Sequence, residues 1–185
     1  LSLAWSLPET TLVGVEAQDV SYTMLEENVR RNGFGERIAI HHGDLRDEVS
    51  RLGERFDLVT GTPPYFPKDA ALDAMDTQRA YARIEYRGGI DAYVRAGAVV
   101  LAEDGTLVLC GDARTEARML GAADEAGLFL VARTSIVAHA KKPPLFAVWT
   151  LRRAEAPLAS STLVLRDADG ATTPDAAMLK AFSGF

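Results

Sequence analysis

A turn rich in proline and aromatic residues is the segment of this sequence best suited to chemistry. It reads Gly61-Thr62-Pro63-Pro64-Tyr65-Phe66-Pro67 and directly follows the short apolar segment 56–60. Adjacent prolines fix the backbone in an extended form and leave the Pro63 carbonyl without competing donors nearby. The Thr62 hydroxyl and that carbonyl can therefore both accept hydrogen bonds from one amino group, while Tyr65 stacks on the ring that carries it.

Such a turn is suited to methyl transfer onto an aromatic amine. The nitrogen lone pair of this kind of amine is delocalised into its ring, and two acceptors that hold its protons favour a tetrahedral, more nucleophilic nitrogen. Catalysis is then mainly the positioning of that nitrogen in line with a methyl donor. The alternative is a proline-stiffened loop with a packed tyrosine, but the place of the turn after a strand favours the catalytic interpretation. The predicted catalytic residues are Thr62, Pro63, Pro64 and Tyr65.

Two carboxylates follow other strand-like segments. Glu16 ends residues 11–16, and Asp44 follows residues 37–41. Ligands of open parallel sheets bind beyond the carboxyl ends of the strands. Because Glu16, Asp44 and Thr62 are 28 and 18 residues apart, about one strand-helix unit each, we expect them to converge on one crevice. A carboxylate at Glu16 can accept from two ribose hydroxyls. The alternatives are a helix-start carboxylate at Glu16, worth a few tenths of a kcal/mol, and a turn with a helix cap at Asp44.

Strand-like and helix-like segments alternate along the chain, which predicts a single α/β domain over residues 1–185. Strands that alternate with helices of about a dozen residues indicate a doubly wound, mainly parallel sheet covered on both faces. Residues 128–138 and 145–151 are expected to form one antiparallel edge. Asp19 is expected to cap a helix that stops at Asn32-Gly33. The other predicted strands are 106–110 and 163–166, and the predicted helices are 20–31, 45–52, 90–101, 115–126 and one from Pro174, capped by Thr173.

Composition excludes several classes of protein. Hydrophobic residues make up 48% and charged residues 25% of the 185 residues, which excludes a disordered tail, a collagen-like repeat and a coiled coil. The net charge of −6 disfavours a protein that coats nucleic acid nonspecifically. No apolar run reaches the roughly 18 residues of a membrane span and no leader opens the chain, so we expect a cytoplasmic protein.

Cysteine and histidine do not predict a metal site. Cys110 stands alone, so it forms no internal disulfide and no zinc site by itself, and its apolar surroundings predict a buried structural thiol. His41 and His42 are adjacent on a predicted strand and therefore point to opposite faces of the sheet. Asp73, Asp76 and Glu85 can line the substrate side of the turn, although a polar loop explains them equally well.

The motifs resemble a known family. Glu16, Asp44 and Pro63-Pro64-Tyr65, in this order and spacing, resemble the class I S-adenosylmethionine-dependent methyltransferases that modify amino nitrogens, whose turn reads Asn/Asp/Ser-Pro-Pro-Tyr/Phe/Trp. More narrowly, Pro63-Pro64-Tyr65-Phe66, Ala82-Arg83-Ile84-Glu85 and residues 163–182 are similar to the tRNA1(Val) adenine-N6-methyltransferase-like group.

Two features depart from the family pattern. Thr62 stands where Asn or Asp is usual, although related cytosine-N4 enzymes use Ser there. Residues 1–5 match the helix that follows the family's first strand and glycine-rich loop, so we expect these two elements to be missing from the sequence. The resemblance implies a Rossmann-like methyltransferase fold.

The resemblance also implies a cofactor and an acceptor. S-adenosylmethionine is expected with Glu16 on its ribose hydroxyls, Asp44 on its adenine amino group and Leu45 near the ring. The expected acceptor is an exocyclic amino group, above all adenine N6 in tRNA or other structured RNA. Phe66, Arg83 and Lys141 are expected to bind that substrate. Further basic residues, which can form a phosphate-binding rim or remain solvated surface charge, are Arg79, Arg87, Arg95 and Lys142.

Two alternative functions remain open at the level of sequence, a third is set aside, and rRNA and DNA remain open beside tRNA as the nucleic acid that is methylated. The first is a degenerate methyltransferase-like domain that binds RNA or a protein without catalysis. The second is methylation of a protein glutamine amide. A nicotinamide dehydrogenase would also use a carboxylate at Glu16, but it has no use for the Pro-Pro-Tyr turn.

Overall fold

The computed structural model describes residues 1–67 and 77–182, so Asp73 and Asp76 lie outside the described residues. The chain divides into two compact units, Leu1–Gly53 and Glu54–Phe185. That both units form one methyltransferase domain stays a prediction. No helix within the described residues is long and apolar enough to cross a membrane.

The first unit contains a pair of parallel strands. The strands pair in register, with Glu16 opposite His42 at their carboxyl ends. Short β-branched runs form both strands, as expected for residues that fit a pleated surface. The elements of this unit are α1 (Ser2–Ser6), β1 (Leu12–Glu16), α2 (Asp19–Arg31), β2 (Ile38–His42) and α3 (Leu45–Glu48).

The ends of α2 were predicted with mixed success. The stop is confirmed, because Asn32 is the C-cap and Gly33 follows with φ +72°, a backbone conformation that glycine adopts without strain. The prediction that Asp19 caps the helix is wrong. Gln18 is the N-cap, and Asp19 lies in the first turn, where its carboxylate meets His42 Nε2 at 3.1 Å.

The second unit is built on a five-stranded sheet of order β3-β4-β6-β5-β7. β3 and β4 are parallel, β6 is antiparallel to both β4 and β5, and β7 is parallel to β5. The α/β class, with parallel strands and an antiparallel hairpin, is therefore confirmed. The elements are β3 (Phe56–Gly61), α4 (Thr77–Arg83), α5 (Ile90–Val100), β4 (Leu101–Asp112), α6 (Glu116–Glu125), β5 (Phe129–Val137), β6 (Phe146–Arg152), β7 (Ala159–Val164) and α7 (Pro174–Phe182), with a short 3-10 helix at Ala113–Thr115.

The C-terminal hairpin lies one position further inside the sheet than expected. The hairpin of β5 and β6 is present, but β6 pairs with β4, and β7 forms the outer edge next to β5. Residues 159–161 are small and polar and lie before the predicted strand 163–166, yet they pair with β5, and the Thr134 hydroxyl lies 2.9 Å from the Ser161 hydroxyl. The final helix is capped as predicted, since the Thr173 hydroxyl accepts a hydrogen bond from Ala176 N.

The core of the second unit lies between α5, α6 and the sheet. Its largest fully buried side chain is Trp149, whose indole N–H donates to Glu116 Oε2 at 2.8 Å. Cys110 is half-buried on β4, and burial raises the pKa of its thiol. The thiol is therefore kept protonated, in agreement with a structural role.

Candidate functional site

The carboxyl ends of β1 and β2 bring the predicted cofactor residues together. Glu16 is the last residue of β1, and its carbonyl accepts a hydrogen bond from Gly43 N at 3.0 Å, next to Asp44. The Glu16 carboxylate turns toward the start of α2, where Oε1 accepts a hydrogen bond from Gln18 N at 2.8 Å. This bond corresponds to the helix-start alternative, and it engages one oxygen of the carboxylate. A role on ribose hydroxyls stays a prediction.

Asp44 is the N-cap of α3, as the alternative interpretation of the sequence anticipated. Its Oδ1 accepts from Arg46 N at 3.0 Å, and the Arg46 guanidinium binds both carboxylate oxygens at 2.8 and 2.7 Å. The hydrogen bond that Arg46 donates to Asp44 raises the pKa of Arg46 above its ordinary value. An adenine amino group would therefore compete with Arg46 for Asp44. Leu45, the first residue of α3, is half-buried beside them.

His42 does not belong to a metal site in the described part of the chain. Its ring stacks on Tyr22 with the centroids 4.5 Å apart and the planes at 21°. Among residues 1–67 and 77–182, no cluster of His, Cys, Asp and Glu is arranged to hold a metal ion.

The predicted acceptor residues follow β3 in the second unit, and we call residues 62–66 the acceptor turn. β3 ends at Gly61, where an added Cβ would lie 2.7 Å from the Tyr93 ring of α5, so glycine permits this close packing. Thr62 is exposed, Pro63 is fully buried and Pro64 is half-buried. The turn is therefore anchored by the first proline and presents its threonine to solvent.

Main-chain hydrogen bonds fix the aromatic end of the acceptor turn. The N–H groups of Tyr65 and Phe66 both donate to the carbonyl of Arg83, at 3.0 and 2.8 Å. The N–H of Glu85 donates back to the Phe66 carbonyl at 2.9 Å. The Tyr65 ring is half-buried between Phe66, at 4.6 Å between centroids, and Phe146, which it meets edge-on at 5.7 Å.

An ion pair holds the segment that carries these hydrogen bonds. Both oxygens of the Glu85 carboxylate accept from Arg118 Nη1 of α6, at 2.9 and 3.0 Å. The other terminal nitrogen of Arg118 bonds Asp91 of α5, and this bond, despite the partial burial of Asp91, helps to lower the pKa of that carboxyl. An added Cβ at Gly89 would displace the Glu85 carboxylate from this position, so glycine leaves room for the arrangement. We call this contact the Glu85–Arg118 ion pair.

The predicted substrate residues lie at the same end of the sheet. Arg83 is the exposed last residue of α4, and its carbonyl rather than its side chain contacts the acceptor turn. Lys141 is exposed in the loop from β5 to β6, with φ +66°, and this loop leads directly into Phe146, the partner of the Tyr65 ring. Phe66 is 37% exposed. Contact of these side chains with a substrate stays a prediction.

The sequence missed residues that complete this end of the sheet. Asp112 ends β4 opposite Phe146, is only 5% exposed, and binds Arg114 through both carboxylate oxygens. The hydrogen bond from Arg114 keeps the pKa of Asp112 below its ordinary value and stabilises the charged form of this buried carboxylate. The Gly111-Asp112 sequence after an apolar strand was a readable signal for Asp112. Arg118 had none, because it lies 33 residues from Glu85.

Each half of the predicted site is thus assembled within its own unit. Glu16 and Asp44 meet at the ends of β1 and β2. Thr62, Tyr65 and the Arg83 carbonyl lie together after β3. That both halves face one crevice stays a prediction.

Comparison with known proteins gives relatives that are named as methyltransferases. No family model matches the chain. The chain is 27% identical over 172 residues to a tRNA1(Val) (adenine(37)-N6)-methyltransferase of Yersinia pestis (strain Pestoides F), over 92% of this chain and 68% of that protein. A protein of the same name from Yersinia pseudotuberculosis serotype IB is also 27% identical, over 92% of this chain and 67% of its own length. The resemblance inferred from the motifs is therefore confirmed.

Solved structures share the fold. A protein of Agrobacterium tumefaciens described as a predicted O-methyltransferase matches with a TM-score of 0.72 at 17% identity, over 98% of this chain and 82% of that one. A methyltransferase complexed with SAH matches with a TM-score of 0.53 at 12% identity, over 76% of this chain and 38% of that one. These similarities confirm the Rossmann-like methyltransferase fold.

Proposed function

We propose that this chain is an S-adenosylmethionine-dependent N-methyltransferase that acts on an exocyclic amino group, above all adenine N6 in tRNA or other structured RNA. The observation that carries the proposal is the acceptor turn, Thr62-Pro63-Pro64-Tyr65-Phe66, which is clamped by main-chain hydrogen bonds directly after β3. Its support from comparison is the 27% identity to proteins named tRNA1(Val) (adenine(37)-N6)-methyltransferase.

The cofactor residues fit a nucleoside that carries a ribose and an exocyclic amine. Glu16 supplies a carboxylate at the end of β1, Leu45 supplies an apolar side chain, and Asp44 supplies acceptors once Arg46 moves aside. S-adenosylmethionine, when bound, supplies a methyl group on a positively charged sulfur. A structural relative complexed with SAH supports this choice of cofactor.

The acceptor turn would position the amine. The Thr62 hydroxyl and the Pro63 carbonyl would each accept a hydrogen bond from one of its two N–H groups, while the Tyr65 ring would stack on the base. With the amine held by Thr62 and Pro63, its nitrogen would take the methyl group that the cofactor supplies, the cofactor would leave as the neutral thioether, and the nitrogen would pass one proton to water. A base within a helix cannot reach such a turn, so it must be unpaired or flipped out, at a cost of a few kcal/mol.

Transfer of labelled methyl groups to bulk RNA, followed by nucleoside analysis, tests the function. We expect label on N6-methyladenosine, and Tyr65→Ala should lower turnover far more than cofactor affinity. Phe129→Ala is the matched control, because Phe129 is an exposed aromatic residue at the start of β5. The loop that leads to Phe146 leaves the other end of this strand. Label on a ribose oxygen or a ring carbon, or unchanged turnover in Tyr65→Ala, would refute the proposal.

The same assay separates the alternatives. Binding of RNA without methyl transfer to any acceptor indicates a degenerate domain, and label on protein glutamine indicates the amide reaction. The proposed cytoplasmic location follows from the proposed acceptor, which is tRNA or other cellular RNA.

A further inference from the structure

Two exposed tyrosines and an arginine lie beside the acceptor turn and take no part in the proposed methyl transfer. Tyr81 is 42% exposed and Tyr86 is 40% exposed, with ring centroids 5.2 Å apart and planes at 59°. The Arg87 guanidinium carbon lies 4.9 Å from the centroid of the Tyr81 ring. We call these three residues the stacking patch.

The backbone ties the stacking patch to the acceptor turn. Ile84, between the two tyrosines in sequence, is buried and forms a parallel bridge with Phe66. The neighbouring Arg83 carbonyl holds Tyr65 and Phe66, and Glu85 is held by Arg118. The patch therefore extends from the same segment whose main chain holds the acceptor turn.

The chemistry of the patch matches an unpaired nucleobase. Exposed aromatic rings bind single-stranded nucleic acid by stacking, and an arginine beside them adds cation–π attraction and charge toward phosphate. An apolar protein partner would instead require a broader apolar surface. Such a partner would also gain nothing from the guanidinium. In a chain of net charge −6, the exposed Arg83 adds a positive charge beside the patch, where a phosphate backbone would pass.

We propose that the stacking patch binds a second unpaired base of the RNA substrate, a near neighbour of the base that enters the acceptor turn. This inference rests on the proposed function, because it assumes an RNA acceptor. Every base has a π face, so the patch selects for unpaired neighbours rather than for one base identity. It adds affinity for loops, in which both the target base and its neighbour are already exposed.

Binding of fluorescently labelled RNA hairpins with an adenine in the loop tests the patch in the full-length protein. Tyr86→Leu removes the ring but keeps an apolar side chain, and it should weaken hairpin binding about tenfold, within the range known for one stacked base. Tyr86→Phe keeps the ring and should bind like the wild type. Phe129→Leu, a substitution of an equally exposed ring at 44%, is the matched control and should also bind like the wild type.

A second set of RNAs shows whether the lost contact is with the neighbouring base. A hairpin with an abasic site next to the target adenine should bind the wild type about tenfold more weakly. It should bind wild type and Tyr86→Leu equally, because the partner of the ring is already gone. Cofactor binding should stay unchanged in each variant, which also shows that the variants are folded.

The two possible failures have different signatures. Methylation of RNA by the wild type together with equal hairpin binding of Tyr86→Leu, Tyr86→Phe and wild type would refute the patch and leave the proposed function intact. Additive effects of Tyr86→Leu and the abasic site would refute contact with that base. Absence of both binding and methylation of RNA by the wild type would refute the RNA acceptor, and with it the patch.

Discussion

Arg118→Met is expected to reduce catalysis by loosening the acceptor turn from a distance. The Glu85 side chain is only 11% exposed, and Arg118 Nη1 bonds both of its carboxylate oxygens at 2.9 and 3.0 Å. Methionine retains the length and apolar stem of the arginine but leaves the Glu85 charge without this partner. The carboxylate should therefore turn toward solvent and loosen the segment that binds Tyr65 and Phe66 through the main chain.

The magnitude follows from the exposure of the two side chains. Hydrogen bonds to charged groups contribute about 1.5–3 kcal/mol to stability, whereas exposed ion pairs contribute about 0–1 kcal/mol. Because Arg118 is 45% exposed, solvent screens part of the interaction, and we expect a loss of about 1–2 kcal/mol in the free energy of unfolding. Misplacement of a reacting group by about 1 Å can cost about a hundredfold in rate, so a decrease in kcat of about tenfold is expected.

Steady-state methyl transfer, calorimetric cofactor binding and urea unfolding measure these effects separately. Arg118→Met should lower kcat. Cofactor affinity should stay within about twofold, a change of less than ~0.4 kcal/mol in binding free energy, where tenfold corresponds to about 1.4 kcal/mol. Arg118→Lys should recover part of kcat, because lysine keeps the charge but lacks the second terminal nitrogen that bonds Asp91 while the first bonds Glu85.

Arg95→Met is the matched control for Arg118→Met. Arg95 bonds Asp91 and Glu125 in the same set of charged residues but has no hydrogen bond to Glu85. The Arg95→Met variant should have a lower free energy of unfolding than the wild type but the same kcat. Equal loss of kcat in both variants, or an unchanged kcat in Arg118→Met, would refute positioning by the Glu85–Arg118 ion pair.

Three further predictions follow from the same structure. Gly89→Ala should lower kcat like Arg118→Met, because the added methyl group displaces the Glu85 carboxylate; a kcat equal to wild type would contradict this. Arg46→Ala should tighten cofactor binding in calorimetry by up to about fivefold, the equivalent of an exposed ion pair, by releasing Asp44; weaker binding would show that Arg46 is no competitor. Arg114→Met should destabilise the protein to urea near neutral pH. Folding lowers the pKa of the Asp112 carboxyl that Arg114 binds, so the difference in stability between Arg114→Met and the wild type should shrink as pH falls through the folded-state pKa of Asp112. A difference in stability that is independent of pH would contradict this role of Arg114.

Local sequence patterns predicted most elements that depend on neighbouring residues. β3 and the acceptor turn could be predicted because a short apolar run precedes prolines, which can continue neither a helix nor a sheet. The stop of α2 was readable because Gly33 accepts a positive φ. Both interpretations of Asp44 also relied on local sequence. The structure shows the helix cap, which needs only Arg46, two residues away.

Elements that depend on distant pairing were not readable. Residues 159–161 of β7 lack an apolar pattern, and they become a strand because β5 offers an unpaired edge. Asp19 looked like a cap, but Gln18 is the N-cap, and the Asp19 carboxylate instead meets His42 at the end of β2. In each case a tertiary partner overrode the local preference.

The acceptor turn shows why a motif can tolerate a change at its first residue. Thr62 has a shorter side chain than the Asn or Asp that is usual there, so its hydroxyl reaches less far toward an amine. Its position, however, is set by Pro63, which is fully buried, and by the hydrogen bonds from Tyr65 and Phe66 to the Arg83 carbonyl. Neither of these supports uses the Thr62 side chain. In the proposed reaction, a turn that is preorganised by its main chain would need only one side-chain acceptor at Thr62, because the Pro63 carbonyl would supply the second, and a hydroxyl could serve as that acceptor.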